Sequence, residues 1–426
     1  MKFISSIKEK FHNWDKKRIV SYFSVLFCLF LSSFSTMALS GRYPLNYVNM
    51  AIYFITAISI FIYVGIYGVF KIDTFFYIIV FIDVLILFSS ALTGFRHFSY
   101  TIFLVTIFSL IIYQFICNIR PESRENVYSI IMCAGYFFVI YFSIIYSKNI
   151  FSFDFSTRIG DYFDNENEVS KYFVFLIVFS LHKAIYNRKY FLLYPLILYL
   201  FILLLMTGSR SNLISAILMS LFVTYFRIPK KYKIFYSILV VSSIAAFFLI
   251  LQIPALITFR DRIYNMFKTL FGTFDGMSEF DFSIYNRMIA VEEGINLFLA
   301  RPLFGYGFRG TRIYSFISME PHNNFIFLLG NFGVIVFILF ELFLLLPVYK
   351  IFATNKKHKN PFSLLILSIL LYVFVFQLFL VNYYTKFEYF AFPFAYLLSG
   401  LKSNCVEINL GKRTITLFKG KIYENN

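Results

Sequence analysis

Residues 321–350 read PHNNFIFLLGNFGVIVFILFELFLLLPVYK. A proline, a histidine and two asparagines open a run that stays apolar almost to Pro347. At 1.5 Å per helical residue such a run can cross a hydrocarbon core about 30 Å thick. It reads as a membrane span entered from a polar loop. Polar groups held at that boundary are costly, so they mark a candidate functional site.

The same apolar pattern recurs outward from this stretch. The chain has 426 residues, 59% of them hydrophobic and 14% charged, with mean hydropathy +0.73. Ordinary soluble domains carry roughly 25% charged residues, so a soluble globule is excluded. The continuous runs also exclude the alternating pattern of an outer-membrane barrel. The expected fold is an all-α polytopic membrane protein, one integral domain over 1–426 with about twelve transmembrane helices. Spans are expected at 19–39, 47–70, 72–92, 99–118, 127–147, 169–183, 189–207, 210–227, 233–253, 323–349, 361–381 and 386–400.

A net charge of +17 would suggest nucleic acid for a soluble protein, but Lys and Arg collect in the cytoplasmic loops of membrane proteins. No nucleic-acid partner is expected. Basic clusters at Lys2–Arg18, at Lys183, Arg188 and Lys189, at Arg227–Lys233 and at Lys350–Lys359 all fall on one face of this topology. That face, with both termini, is expected to be cytoplasmic. Residues 3–14 place Phe3, Ile7, Phe11 and Trp14 at helical spacing between lysines, which fits an interfacial amphipathic helix or a plain leader. About eighteen polar, basic residues precede the first span, which does not fit a cleavable signal peptide. The tail, 402–426, is basic and a candidate β-hairpin. Cys28, Cys117, Cys133 and Cys405 have no ligand spacing and read as free packing thiols.

Two loops remain for the outer face: loop A at 148–168 and loop B at 254–322, the latter carrying short interfacial helices. Loop B holds seven Lys/Arg residues and seven acids. Topology does not explain this, because arginines are disfavoured outside. Loops this long are usually functional.

Several groups could carry chemistry. Arg210, in TGSRSN, stands where a helix N-terminus and a guanidinium could hold phosphate, with Ser211 or Asn212 capping. It also reads as a snorkelling interface arginine. Arg158 and Asn167 lie in loop A, where surface arginines are common. In loop B, NRMIAVEEGINLFLARP reads as a helix ended by Pro302, with Met288, Val291, Ile295 and Phe298 on one apolar stripe. That helix would present Arg287, Glu292 and Glu293 to a cavity; the bland reading is a solvated face. Gly305 and Gly307 permit a tight turn beside Arg301. His322 is an acid–base candidate or a packed helix-start residue, with Asn323 and Asn324 as caps. Glu279 and Asp281 read as structural, and no metal, Walker or dinucleotide signature occurs.

Taken in order, TRIGDYFDNEN, TGSRS, RMIAVEEGINLFLARPLFGYGF and PHNNFIFLLGNFGVIVF resemble the O-antigen polymerase/ligase superfamily over residues 155–345. The PLFGYGF and PHNNF pieces look closer to the polymerases. The repeated Arg-x10-Gly motif of some polymerases is absent. The resemblance implies a glycosyltransferase that polymerises undecaprenyl-diphosphate-linked oligosaccharide repeat units into O-antigen, capsular or exopolysaccharide. It would act at the outer face of the bacterial plasma (inner) membrane, alongside a flippase and a chain-length regulator, with membrane lipids around it and no cofactor. It further implies inverting transfer without a metal. Arg210 and Arg287 would serve the diphosphate, Arg158 the diphosphate or glycan, and His322, or second Glu292 or Glu293, the acceptor hydroxyl. Asn167, Arg301, Gly305, Gly307 and Asn323 would shape or bind substrate. The sister ligase, which transfers polymer to lipid A-core, is the alternative. A lipid-linked oligosaccharide flippase or transporter is the rival from another class, with Asp83 its main intramembrane charge.

Overall fold

The computed structural model describes residues 16–39, 45–95, 101–119, 121–152, 158–163, 166–186, 190–250, 282–355, 363–378, 406–409 and 414–417, with scattered single residues in 252–264 and 392–396. Residues 3–14, Glu279, Asp281, Cys405 and most of the expected span 386–400 lie outside them.

The described chain is helical almost throughout. In order it forms α1 (Lys16–Ala38), α2 (Leu45–Tyr67), α3 (Thr74–Leu92), α4 (Thr101–Asn118), α5 (Pro121–Ile145), the short α6 (Ser147–Phe151), α7 (Glu166–Tyr186), α8 (Leu193–Thr207) and α9 (Arg210–Arg227). Then come α10 (Lys233–Ile250), α11 (Phe282–Ala300), the short α12 (Gly310–Tyr314), α13 (Asn324–Asn355) and α14 (Ser363–Phe376). Five stretches among the described residues are long and apolar enough to cross a membrane: Lys16–Ala38, Tyr47–Tyr67, Thr74–Leu92, Asn126–Ile145 and Asn324–Phe352. Their outward faces are apolar too, as with Phe54, Ile66 and Ile144, each more than 60% exposed. Water would not tolerate that surface; lipid does.

Three expectations change. Among the described residues, the fifteen of α8 span about 22 Å and the fourteen of α14 about 21 Å, so helix length does not establish all twelve crossings. Phe70 and Ile72, the expected ends of the spans 47–70 and 72–92, instead form strand β1 (Phe70–Ile72) with Lys71 between them. Its neighbours stabilise the extended chain. Asn118 Oδ1 accepts from Val69 N–H (2.7 Å), Gln114 Oε1 accepts from Lys71 N–H (2.8 Å), and the Asp73 carboxylate caps α3 through Phe75 and Phe76. The tail does form a hairpin, β2 (Val406–Asn409) with β3 (Thr414–Leu417), and β2 pairs antiparallel with β1, Phe70 opposite Ile408. The third correction concerns α13. The expected continuous span breaks at Gly333, where φ 78° and ψ 179° are not helical.

Around this frame, α7 packs on α8 and α9, α9 on α14, α11 on α13, and α3 on α13. The central core runs through Phe138, Phe142, Phe173, Leu203, Phe327, Phe343 and Tyr372. Cys28, Cys117 and Cys133 are free thiols.

Candidate functional site

One end of the helix bundle gathers the start of α7, the α8–α9 turn, the end of α14 and the start of α13. The α8–α9 turn exists because Gly208 takes the left-handed conformation (φ 65°) that closes α8, and Ser209 starts α9 in an extended one. The expected caps, Ser211 and Asn212, do not fill that role. Asn212, fully buried, is a hub: its amide donates to Asn167 O (3.0 Å), Ser170 Oγ (2.6 Å) and Ser209 Oγ (2.9 Å). Its Oδ1 accepts from the Tyr372 hydroxyl at 3.0 Å. Ser209 Oγ donates to Asn167 Oδ1 at 2.8 Å. Asn167 thus holds loop A to the turn.

Arg158 joins the same turn. Its Nε donates to Thr207 O (3.1 Å) and stands 3.9 Å from Glu166 Oε1, while Ile159 N–H bonds Met206 O (3.2 Å). Arg210 opens the first turn of α9, half-buried beside these groups. Arg158, bonded to Thr207 O, and Arg210, the first residue of α9, therefore stand at one turn before a helix N-terminus, where the helix dipole and backbone N–H groups favour an anion.

Below them lies a residue that sequence reading missed. Lys171, 1% exposed, pairs with Glu168 at 2.8 Å, and its ammonium sits 4.8 Å from the centre of the Phe376 ring. The available signal was a lysine inside the expected span 169–183, because an intramembrane charge marks a site by default.

The end of α14 links this cluster to the second one. Gln377 O accepts from Asn324 N–H (2.7 Å), and Gln377 Oε1 accepts from Asn324 Nδ2 (2.7 Å). Gln377 Nε2 donates to Glu341 at 3.4 Å. Asn323 caps α13 through Ile326 N–H (3.1 Å), as expected for this position. His322 immediately precedes these two asparagines, near enough to Arg287 of α11 to feel its charge. Burial, and then the Arg287 charge, push the His322 imidazole down to about 4. At neutral pH it is an uncharged ring beside a guanidinium.

Helix α11 presents Arg287, Ala290 and Gly294 inward, and its apolar stripe outward: Met288 and Ile295 are exposed. Gly294 lets α13 approach, since a Cβ there would lie 2.5 Å from Ile326 Cγ2. Glu292 is exposed, some 140° around the helix from Arg287 by helical geometry. Glu293 accepts from the Ser315 hydroxyl. The helix does not present Arg287 and Glu292 to one cavity.

The glycines have another place. The loop 301–309 wedges into the break of α13: Tyr306 N–H bonds Gly330 O (3.2 Å), Gly307 N–H bonds Asn331 O (2.7 Å) and Val334 N–H bonds Pro302 O (2.8 Å). Ser89 of α3 donates to Phe304 O and Asn331 O. Gly305 (φ 61°) and Gly333 (φ 78°) face backbone so closely that a Cβ would sit 2.4 Å from Asn331 O and 2.1 Å from Leu303 O. Gly307 (φ 78°) packs equally against Thr93. All three are buried in this joint. Arg301 is exposed, its guanidinium 4.6 Å from the Tyr306 ring centre. Arg309 pairs with Glu320 at 3.8 Å. Asp83 lies between α3 and α4, accepting from Thr106 at 2.7 Å, apart from both clusters. Among the described residues no three His, Cys, Asp or Glu side chains converge as metal ligands would.

A family model described as O-antigen ligase matches residues 195–341, from α8 through Arg210, Arg287 and His322 to Glu341. No curated protein matches the chain.

Proposed function

We propose that this chain, a member of the O-antigen polymerase/ligase superfamily through its residues 195–341, polymerises undecaprenyl-diphosphate-linked repeat units at the outer face of a bacterial plasma membrane. The carrying observation is that the start of α13, with His322 within the field of Arg287, is joined through Asn324, Gln377 and Tyr372 to the Arg210 turn.

The diphosphate is an anionic leaving group, so it needs charge stabilisation more than protonation. Arg210, Arg158 and Arg287 supply fixed donors with a fork geometry matched to phosphate oxygens. The acceptor hydroxyl attacks the anomeric carbon, and the bond from that carbon to the diphosphate oxygen breaks. The electron pair leaves with the lipid diphosphate, and the hydroxyl proton goes to His322. Attack opposite the leaving group inverts the anomeric centre. A base with its pKa near 4 is weak in the free protein. The bound diphosphate offsets the Arg287 charge and raises it, so the donor itself activates the base. Gly305, Gly307 and Gly333 form the joint that sets the α11–α13 geometry. Arg301, exposed on Tyr306, remains available to glycan. Glu292, exposed on the far face of α11 from Arg287, is given no part in this scheme.

Single variants Arg210→Ala, Arg287→Ala and His322→Ala, followed by polymer ladders at matched expression, test the assignment. Shortened or absent ladders are expected; wild-type ladders from all three sink it. The ligase reading has the family model's description in its favour. A deletion strain separates the two. Loss of a polymerase leaves single repeats on the acceptor, whereas loss of a ligase leaves long chains on the carrier lipid.

A further inference from the structure

A crevice of about 560 Å³ opens on the side of the bundle between α9, α10 and α14. Its walls include Met219, Phe222, Tyr225, Tyr236, Leu371 and Val375. The volume lies in the range of ligand clefts, and the walls are almost wholly apolar. Tyr236 donates to Leu221 O at 3.1 Å, tying α10 to α9 where the crevice meets the turn between them.

That turn reads RIPKKYK over 227–233, with four cations and no acid. Lys230 and Lys231 are exposed. The Lys233 ammonium sits 4.1 Å from the centre of the Tyr225 ring, which itself lines the crevice. Cytoplasmic bias accounts for the sign of these charges. It does not account for their position at the mouth of an apolar cleft.

We propose that the crevice is a binding site for an anionic phospholipid, an acyl chain between α9, α10 and α14 and the phosphate against the Arg227–Lys233 turn. Charge complementarity selects an anionic headgroup over a zwitterionic one, at about 1 kcal/mol or fivefold per nearby cation. Position selects a phospholipid over the glycan donor. The eighteen residues of α9 place the basic turn about 27 Å from Arg210, and a donor must bring its diphosphate to Arg210. The site is independent of the reaction proposed above. It would brace α9 and α14, the two helices that carry Asn212 and Tyr372.

The full-length chain, purified in a neutral detergent, is titrated with phosphatidylglycerol and with phosphatidylcholine, read by thermal melting and by lipid retained in native mass spectrometry. Phosphatidylglycerol is expected to bind at least about tenfold tighter at low salt. The triple variant K230Q/K231Q/K233Q should lose that preference, and the triple Lys→Arg variant should keep it. Leu371→Trp, which fills the crevice and leaves every charge, should weaken both lipids. An unchanged preference in the Lys→Gln variant, or undiminished binding by Leu371→Trp, overturns the proposal. Undecaprenyl phosphate displacing phosphatidylglycerol from the wild-type protein would overturn it as well, by giving the crevice to the donor's tail. If the Lys→Gln triple does not fold, the Lys→Arg triple and Leu371→Trp still decide.

Discussion

At the scale of single residues, the Arg287–His322 pair gives the sharpest pH signature. The His322 pKa falls from an ordinary 6.5 to about 4. The acidic limb of kcat/KM, which reports the free protein, should therefore lie near pH 4 and not near 6.5. Arg287→Gln removes the lowering charge, so the limb should move upward. A donor-analogue assay in nanodiscs across pH 3.5–8 measures both limbs, and identical limbs would remove Arg287 from the pair. The linkage has the same sign. The unfolded chain binds the proton that the folded one refuses, so stability declines as pH falls from about 6.5 to about 4. His322→Asn should flatten that decline in a thermal melt. Asn212 makes a different case. Its side chain bonds four partners, of which Asn167 O, Ser170 and Ser209 also bond one another, so truncation to Ala strands chiefly the buried Tyr372 hydroxyl, at roughly 1–3 kcal/mol. Asn212→Ala should lower the melting temperature sharply, whereas Arg210→Ala, on the half-buried rim, should lower activity with little effect on melting.

At the scale of elements, the break in α13 is decisive. A straight helix over 323–349 would leave no seat for the 301–309 loop. With Gly333 at φ 78° the chain opens, and Pro302 O and Gly307 N–H take up backbone groups of α13 at 2.8 and 2.7 Å. Gly333→Ala needs both a strained backbone, about 1–3 kcal/mol, and displacement of Leu303. It should release the loop, lower thermal stability and abolish polymer formation together. A fully active Gly333→Ala would show that the wedge does not position His322. The α13–α14 contact is subtler. Glu341 reaches Asn324 only through Gln377, so Gln377→Ala should loosen the start of α13. The expected result is a fall in kcat with KM nearly kept; an equal rise in KM would place Gln377 in substrate binding. Sequence periodicity revealed α11 and its end before Pro302, because a charged, interrupted stripe is a local signal. The Gly333 break was hidden, because a glycine in an apolar run looks the same whether its φ is negative or positive.

At the scale of the whole molecule, sequence alone carried the membrane class, most helix positions and the candidate arginines. Those features follow from composition, from the 3.6-residue period and from the cost of charge in lipid, all local properties. It also picked out Asn323 as a cap and the tail as a hairpin. Only the tertiary structure decided which polar groups share a site. Arg158 reaches the turn that carries Arg210 because Asn167 and Asn212 join two elements some forty residues apart, with bonds of 2.6–3.0 Å among Asn167, Ser170, Ser209 and Asn212. His322 meets Arg287 across a joint of buried glycines, and Glu292 turns away because helical phase puts it on the other side of α11. Lys171 gained its place only when α14 laid Phe376 over it. A sequence gives each residue its chemistry and its local phase. Which distant residues become neighbours depends on backbone angles and close contacts at a few positions, and those are properties of the packed chain.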